Sequence, residues 1–168
     1  MFYNFFFERK PMFGRIHSST LYSHLDTGSS GRTIDRSLLE NRIKELESTN
    51  LTIKNLAIEE LASWQHFSTP AVPKLIKILE TKTENHKTRG LVVFALGEIK
   101  EPLDLILPIL IKSLFDEHPL IREESAKALG KFRQSAISAI PALTAITNLE
   151  NEDIHVKKAA FIAIDKIQ

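Results

Sequence analysis

After Ile34, apolar residues recur along most of the chain at three- and four-residue spacing. Leu103, Ile106, Leu107, Leu110, Ile111 and Leu114 fall on one stripe of a helix. Ile121, Ser125, Ala128, Leu129 and Phe132 fall on a second. Polar turns separate such stripes, and Pro102 and Pro119 suit first helical turns, where a missing N–H leaves no bond unmade. Pro108 lies further inside its stripe and is expected to bend that helix. The pattern predicts helices over about 35–47, 51–65, 70–80, 87–99, 103–115, 119–132, 137–149 and 153–167. It predicts no strand after Thr33.

The stripes repeat. Ala95-Leu96-Gly97-Glu98-Ile99 returns 33 residues later as Ala128-Leu129-Gly130-Lys131-Phe132, and 35 after that as Ala163-Ile164-Asp165-Lys166-Ile167. Moving back 35 from the first copy gives Glu60-Leu61-Ala62-Ser63-Trp64. Two apolar columns follow, Leu61/Leu96/Leu129/Ile164 and Trp64/Ile99/Phe132/Ile167. A basic column follows too, Lys54/Arg89/Arg122/Lys157, and prolines recur at Pro73, Pro108 and Pro141. Several columns sharing one period are the signature of stacked structural repeats, each too small to bury its apolar face alone.

The run Leu114-Phe115-Asp116, followed by Ile121-Arg122-Glu123-Glu124-Ser125-Ala126-Lys127-Ala128-Leu129-Gly130, resembles a HEAT repeat of the subclass found in phycobilin lyases. That pattern has an acidic residue in the turn, an aliphatic-Arg pair, small residues and then Ala-Leu-Gly. The resemblance covers about Ile34–Gln168. Asp165 replaces the expected glycine in the fourth unit, and Ala62 does so in the first. It implies an all-α fold, a right-handed α-solenoid (an armadillo-like α-α superhelix) of about four helix pairs. The second helix of each pair should line the concave face. In such units the basic column usually reaches back to the acidic turn, as Arg122 could to Asp116.

A core column should be apolar in every copy. The columns holding Glu123, Glu124, Lys127 and Lys131 are mixed, so they are expected to face outward from the second helices. The equivalents are Gly90, Leu91, Phe94 and Glu98 in the second unit, Lys158, Ala159, Ile162 and Lys166 in the fourth, and Asn55, Leu56, Glu59 and Ser63 in the first. Leu91, Phe94 and Ile162 become candidate exposed anchors among charges. The predicted partner-binding set is Leu91, Phe94, Glu98, Glu123, Lys127, Lys131, Lys158 and Ile162. Phe94, supported by Leu91, is expected to be solvent-accessible until a partner covers it.

Composition narrows the chemistry. An apolar content of 43% is ordinary for a soluble domain, and a net charge of +1 gives no field to gather nucleic acid or an anionic membrane. With no cysteine there is no disulfide, thiol nucleophile or thiolate metal site. No apolar run reaches membrane-spanning length, and a soluble, cytoplasmic protein is expected. Asp26-Thr27-Gly28-Ser29-Ser30 spells an aspartic-protease motif, yet that chemistry needs two aspartates at strand ends and there is no second copy. His86, His118 and His155 sit near successive turns, where stacking would hold them roughly 10 Å apart, too far to share a metal. No His-Glu pair occurs, so HEAT-like iron hydroxylases are not matched, and HEAT-like DNA glycosylases need a basic groove that the neutral charge argues against.

Residues 1–33 do not follow the repeat. Five of the ten phenylalanines precede position 14, and a Ser/Thr/Gly-rich stretch reads as linker to a repeat domain over 34–168. The sequence therefore points to a non-enzymatic protein-binding module or adaptor without cofactor or metal, an immunity-type inhibitor of a partner protein being one form of it. A phycobilin-lyase-like enzyme or enzyme subunit is the alternative that the resemblance implies.

Overall fold

The computed structural model describes residues 34–168, and among them every regular element is helical. The aromatic segment, the linker and the Asp26-Thr27-Gly28 motif lie outside the described residues. Four helix pairs follow in order: α1 (Arg36–Glu45) with α2 (Leu51–Ser63), α3 (Val72–Glu80) with α4 (His86–Ile99), α5 (Leu103–Ser113) with α6 (Pro119–Lys131), and α7 (Ile140–Asn148) with α8 (Ile154–Ile167). Two predicted helix starts come later than expected. Gln65–Ala71 and Arg133–Ala139 form 3-10 turns that lead into α3 and α7. These turns carry the chain from one pair to the next.

Each second helix begins on the same device. Asn50, Asn85, His118 and Asp153 occupy one column, and each accepts a backbone N–H two residues on, at 2.9, 2.7, 3.2 and 2.7 Å. A short side-chain acceptor there satisfies an N–H that has no partner within the helix. The far ends share a column as well. Gln65, Lys100 and Arg133 take left-handed φ values of 52°, 64° and 50° just after α2, α4 and α6. Such a position favours glycine, and a side chain there costs about 1 kcal/mol. Arg133 is exposed. Arg133→Gly is therefore expected to raise the unfolding free energy by about 0.5–1 kcal/mol in urea denaturation; a loss would mean that the arginine side chain holds the turn.

The second helices stack into one continuous layer, α2 on α4 on α6 on α8, with the first helices packed behind them. Glycines allow the close approach. A Cβ on Gly97 would stand 2.9 Å from that of Ala128, and one on Gly130 would stand 3.2 Å from the Ala163 backbone. The core follows the apolar columns, with Leu61, Leu96 and Leu129 fully buried, as are Ile99 and Ile167, and Phe132 nearly so, while Trp64 in the first pair is only half-buried. Ile164 is half-buried on α8.

The basic column is a set of struts between repeats. Lys54 pairs with Glu84, Arg89 with Asp116 and Arg122 with Glu152, each carboxylate lying in the turn of the following pair. Arg122 does reach back to its own acidic turn, but through backbone carbonyls, while its carboxylate partner lies in the next turn. Arg122 donates to the Asp116 and Glu117 carbonyl oxygens at 2.8 and 3.0 Å, and to both Glu152 carboxylate oxygens at 3.0 and 2.6 Å. The Asp116 carboxylate is already taken by Arg89. A guanidinium has five donors, enough to hold its own turn and the next one together.

Candidate functional site

The structure divides the eight predicted partner-binding residues. Glu123, Lys127, Lys131, Lys158 and Ile162 come together along an open groove of about 420 Å³ between α6 and α8. Its small-residue lining is Gly130, Ala159 and Ala163, and His155 and Lys166 complete it. Ile162 is 45% exposed. Gly130 lets α8 approach α6 closely at this level and forms part of the groove floor.

Phe94 and Glu98 belong to the neighbouring rung, between α4 and α6. The Lys131 ammonium lies 4.4 Å from the centre of the Phe94 ring and 2.6 Å from the Glu98 carboxylate. The Phe94 ring is half-buried, under a cation that its π face attracts, and is not the open anchor expected.

Leu91 is a correction: it is only 2% exposed. Its column was read as outward-facing because Glu124 belongs to it. Yet Glu124 is 9% exposed and Ala159 6%, while Leu56 in the first pair is 42% exposed. The column becomes buried wherever a second helix precedes it, so it faces the preceding repeat. Glu124 tolerates that place because the Lys127 ammonium lies 2.8 Å from its carboxylate. A paired charge can be buried, so polar composition alone did not establish exposure.

Charge in the groove is unevenly matched. Lys127 lies 2.7 Å from Glu123 as well as beside Glu124. Burial alone would lower its pKa, but these hydrogen-bonded carboxylates outweigh burial and hold it above the ordinary lysine value. Lys131 is matched by Glu98. Lys158 and Lys166 have no ion pair among the described residues and are exposed. The column Ser63/Glu98/Lys131/Lys166 explains Lys166. Lys131 reaches back to the Glu98 carboxylate of the preceding repeat, whereas the residue in that place for Lys166 is Lys131 itself.

The histidines are closer than spacing alone suggested. The His86 and His118 rings stack with centroids 4.2 Å apart, not roughly 10 Å, because His86 opens α4 and His118 caps the start of the neighbouring α6. Burial, then the neighbouring His86, hold the His118 pKa below the ordinary histidine value. A low pKa keeps its Nδ1 free to accept the Leu120 N–H that starts α6. Among the described residues no three His, Asp or Glu side chains cluster so as to hold a metal. No helix among them is long and apolar enough to cross a membrane.

Helix pairs stacked in register, with inter-repeat struts and a groove on the layer of second helices, define an α-solenoid. The chain belongs to the HEAT-repeat family: the family model described as HEAT repeats matches residues 72–165. No curated protein sequence matches the chain. Among solved structures, a designed armadillo repeat protein in complex with the peptide (KR)4 is similar at TM-score 0.63 and 18% identity, over 79% of this chain and 65% of that one. The complex of CpcE and CpcF of phycocyanin lyase from Nostoc sp. PCC7120 is similar at TM-score 0.60 and 20% identity, over 86% of this chain and 57% of that one. An engineered protein is similar at TM-score 0.57 and 21% identity, over 77% of this chain and 62% of that one. The chain thus spans less than two thirds of the length of these structures, and the likeness is one of fold.

Proposed function

We propose that the chain is a non-enzymatic protein-binding module, an adaptor or an inhibitor, whose partner lies on the layer of second helices. The observation that carries this reading is the α6–α8 groove, where the exposed Ile162 side chain stands among lysines on a rigid, close-packed layer. An apolar anchor ringed by charge is a common composition of binding faces, the anchor supplying energy and the rim excluding wrong partners. Five of the residues chosen from register line this groove. The designed armadillo neighbour bears a bound peptide, which supports peptide recognition as a use of this architecture.

A photo-crosslinking residue at position 162, set against one at Leu105 on α5, tests the reading. Leu105 is exposed to a similar degree, at 44%, on the opposite layer. Crosslinks to one defined protein from position 162 and none from 105 are expected in the native host. Equal labelling from both positions would reject the inner face. The likeness to the phycocyanin lyase complex supports a second reading, an enzyme subunit handling a bilin. Mixing the purified chain with a free bilin separates the two: an unshifted visible spectrum is expected, and a stable shifted band would favour the lyase reading.

A further inference from the structure

We propose that the α6–α8 groove takes an extended acidic peptide segment in which an apolar residue stands between two carboxylates. This deepens the protein-binding reading and rests on it. Four lysines line the groove against one glutamate, Glu123. Two of them are internally matched, Lys127 by Glu123 and Glu124 and Lys131 by Glu98. Lys158 and Lys166 have no ion pair among the described residues. They stand one turn before and one turn after Ile162 on the same face of α8, an arrangement of cation, apolar side chain and cation.

The spacing fits an extended chain. Lys158 and Lys166 are eight residues apart, about 12 Å along the helix axis. In an extended peptide, residues i and i+4 are about 13 Å apart, and i, i+2 and i+4 point to the same side. A sequence acid-x-apolar-x-acid laid along α8 would place a carboxylate at each lysine and the central side chain against Ile162. The small lining of Gly130, Ala159 and Ala163 leaves room for that side chain. The carboxylate beside Lys166 would pair with its ammonium as Glu98 pairs with Lys131 one repeat earlier. A basic peptide such as the (KR)4 of the designed neighbour would meet like charge here.

The full-length chain should be titrated with a fluorescein-labelled peptide containing Glu-Ser-Leu-Ser-Glu and followed by anisotropy. Comparison ligands are the same peptide with serine for leucine, the same with lysines for glutamates, and a single-stranded 12-nucleotide DNA of mixed sequence. The acidic leucine peptide is expected to bind tightest, and more weakly at higher salt. Lys158→Glu with Lys166→Glu should weaken it at least tenfold while leaving the circular dichroism unchanged, since both residues are exposed. Ile162→Ser should weaken the leucine peptide but not the serine one. Equal affinity for the lysine peptide, tighter binding of the DNA, or indifference to the charge reversal would overturn the acidic-segment proposal. The double reversal in the crosslinking variant separates the two readings. Crosslinks that survive it keep the protein-binding face and reject the acidic segment; crosslinks absent even before the reversal reject the face itself.

Discussion

Leu129→Ala is expected to lower the unfolding free energy by about 2–5 kcal/mol, read as a shift of the urea midpoint at unchanged m-value. Leu129 is fully buried on α6, within a layer where α6 packs against both α4 and α8. Truncation removes apolar contact and leaves a cavity that helices locked by Gly97 and Gly130 cannot readily close. Position within the stack supplies the control. Ile164 occupies the same column on α8 but is half-buried, so Ile164→Ala should cost clearly less than Leu129→Ala. Equal losses would mean that the column stabilises its own helix pair and contributes nothing between repeats. A loss below about 0.5 kcal/mol at Leu129, the range of ordinary surface substitutions, would contradict the register.

That register was legible because each repeat reports on the others. A single helix cannot say whether its alanine and leucine face core or solvent; four aligned copies can, and Leu61, Leu96 and Leu129 are all fully buried. The starts of the second helices, expected near 51, 87, 119 and 153, fall within a residue of those positions, where Asn50, Asn85, His118 and Asp153 cap them. The 3-10 turns were hidden because Pro70 and the small residues of 133–139 continue the helical spacing while the backbone tightens. The left-handed ends at Gln65, Lys100 and Arg133 were hidden because none is glycine.

The candidate binding face was legible only in part. Column composition separates core from non-core, but it does not tell solvent from the side of the preceding repeat. Leu91 was therefore misplaced, and the signal that could have placed it was the small Ala159 in its column, a size suited to close helix contact. Phe94 was read without Lys131, whose position on the neighbouring helix no single repeat discloses. Glu123, Lys127, Lys131, Lys158 and Ile162 were brought together because outward columns on adjacent helices of a regular stack must adjoin.

Asp116→Ala is expected to lower the unfolding free energy by about 3–5 kcal/mol, the usual loss when one member of a buried ion pair is removed. The Arg89 side chain is 7% exposed and Asp116 12%, so neither charge can turn to water when the other is lost. Arg89 also donates from Nε to the Leu79 carbonyl at 2.9 Å, which fixes the guanidinium in place. The Asp116 carboxylate accepts the His118 N–H at 3.0 Å as well, so the substitution loosens the turn that begins α6. Arg89→Met should also be destabilising, because it strands the Asp116 carboxylate and leaves the Leu79 carbonyl without its donor, although it keeps an apolar stem in place. The decisive quantity is the double variant. With both charges gone no charge is left stranded, and the double variant should lose less than the sum of the single losses by at least about 1 kcal/mol. Additive losses would show that Arg89 and Asp116 act separately, and the struts would then not couple one repeat to the next. Coupling of the expected size would identify a polar link between neighbouring repeats, alongside the apolar link through Leu129. Together these would let a small stack hold its layer of second helices rigid.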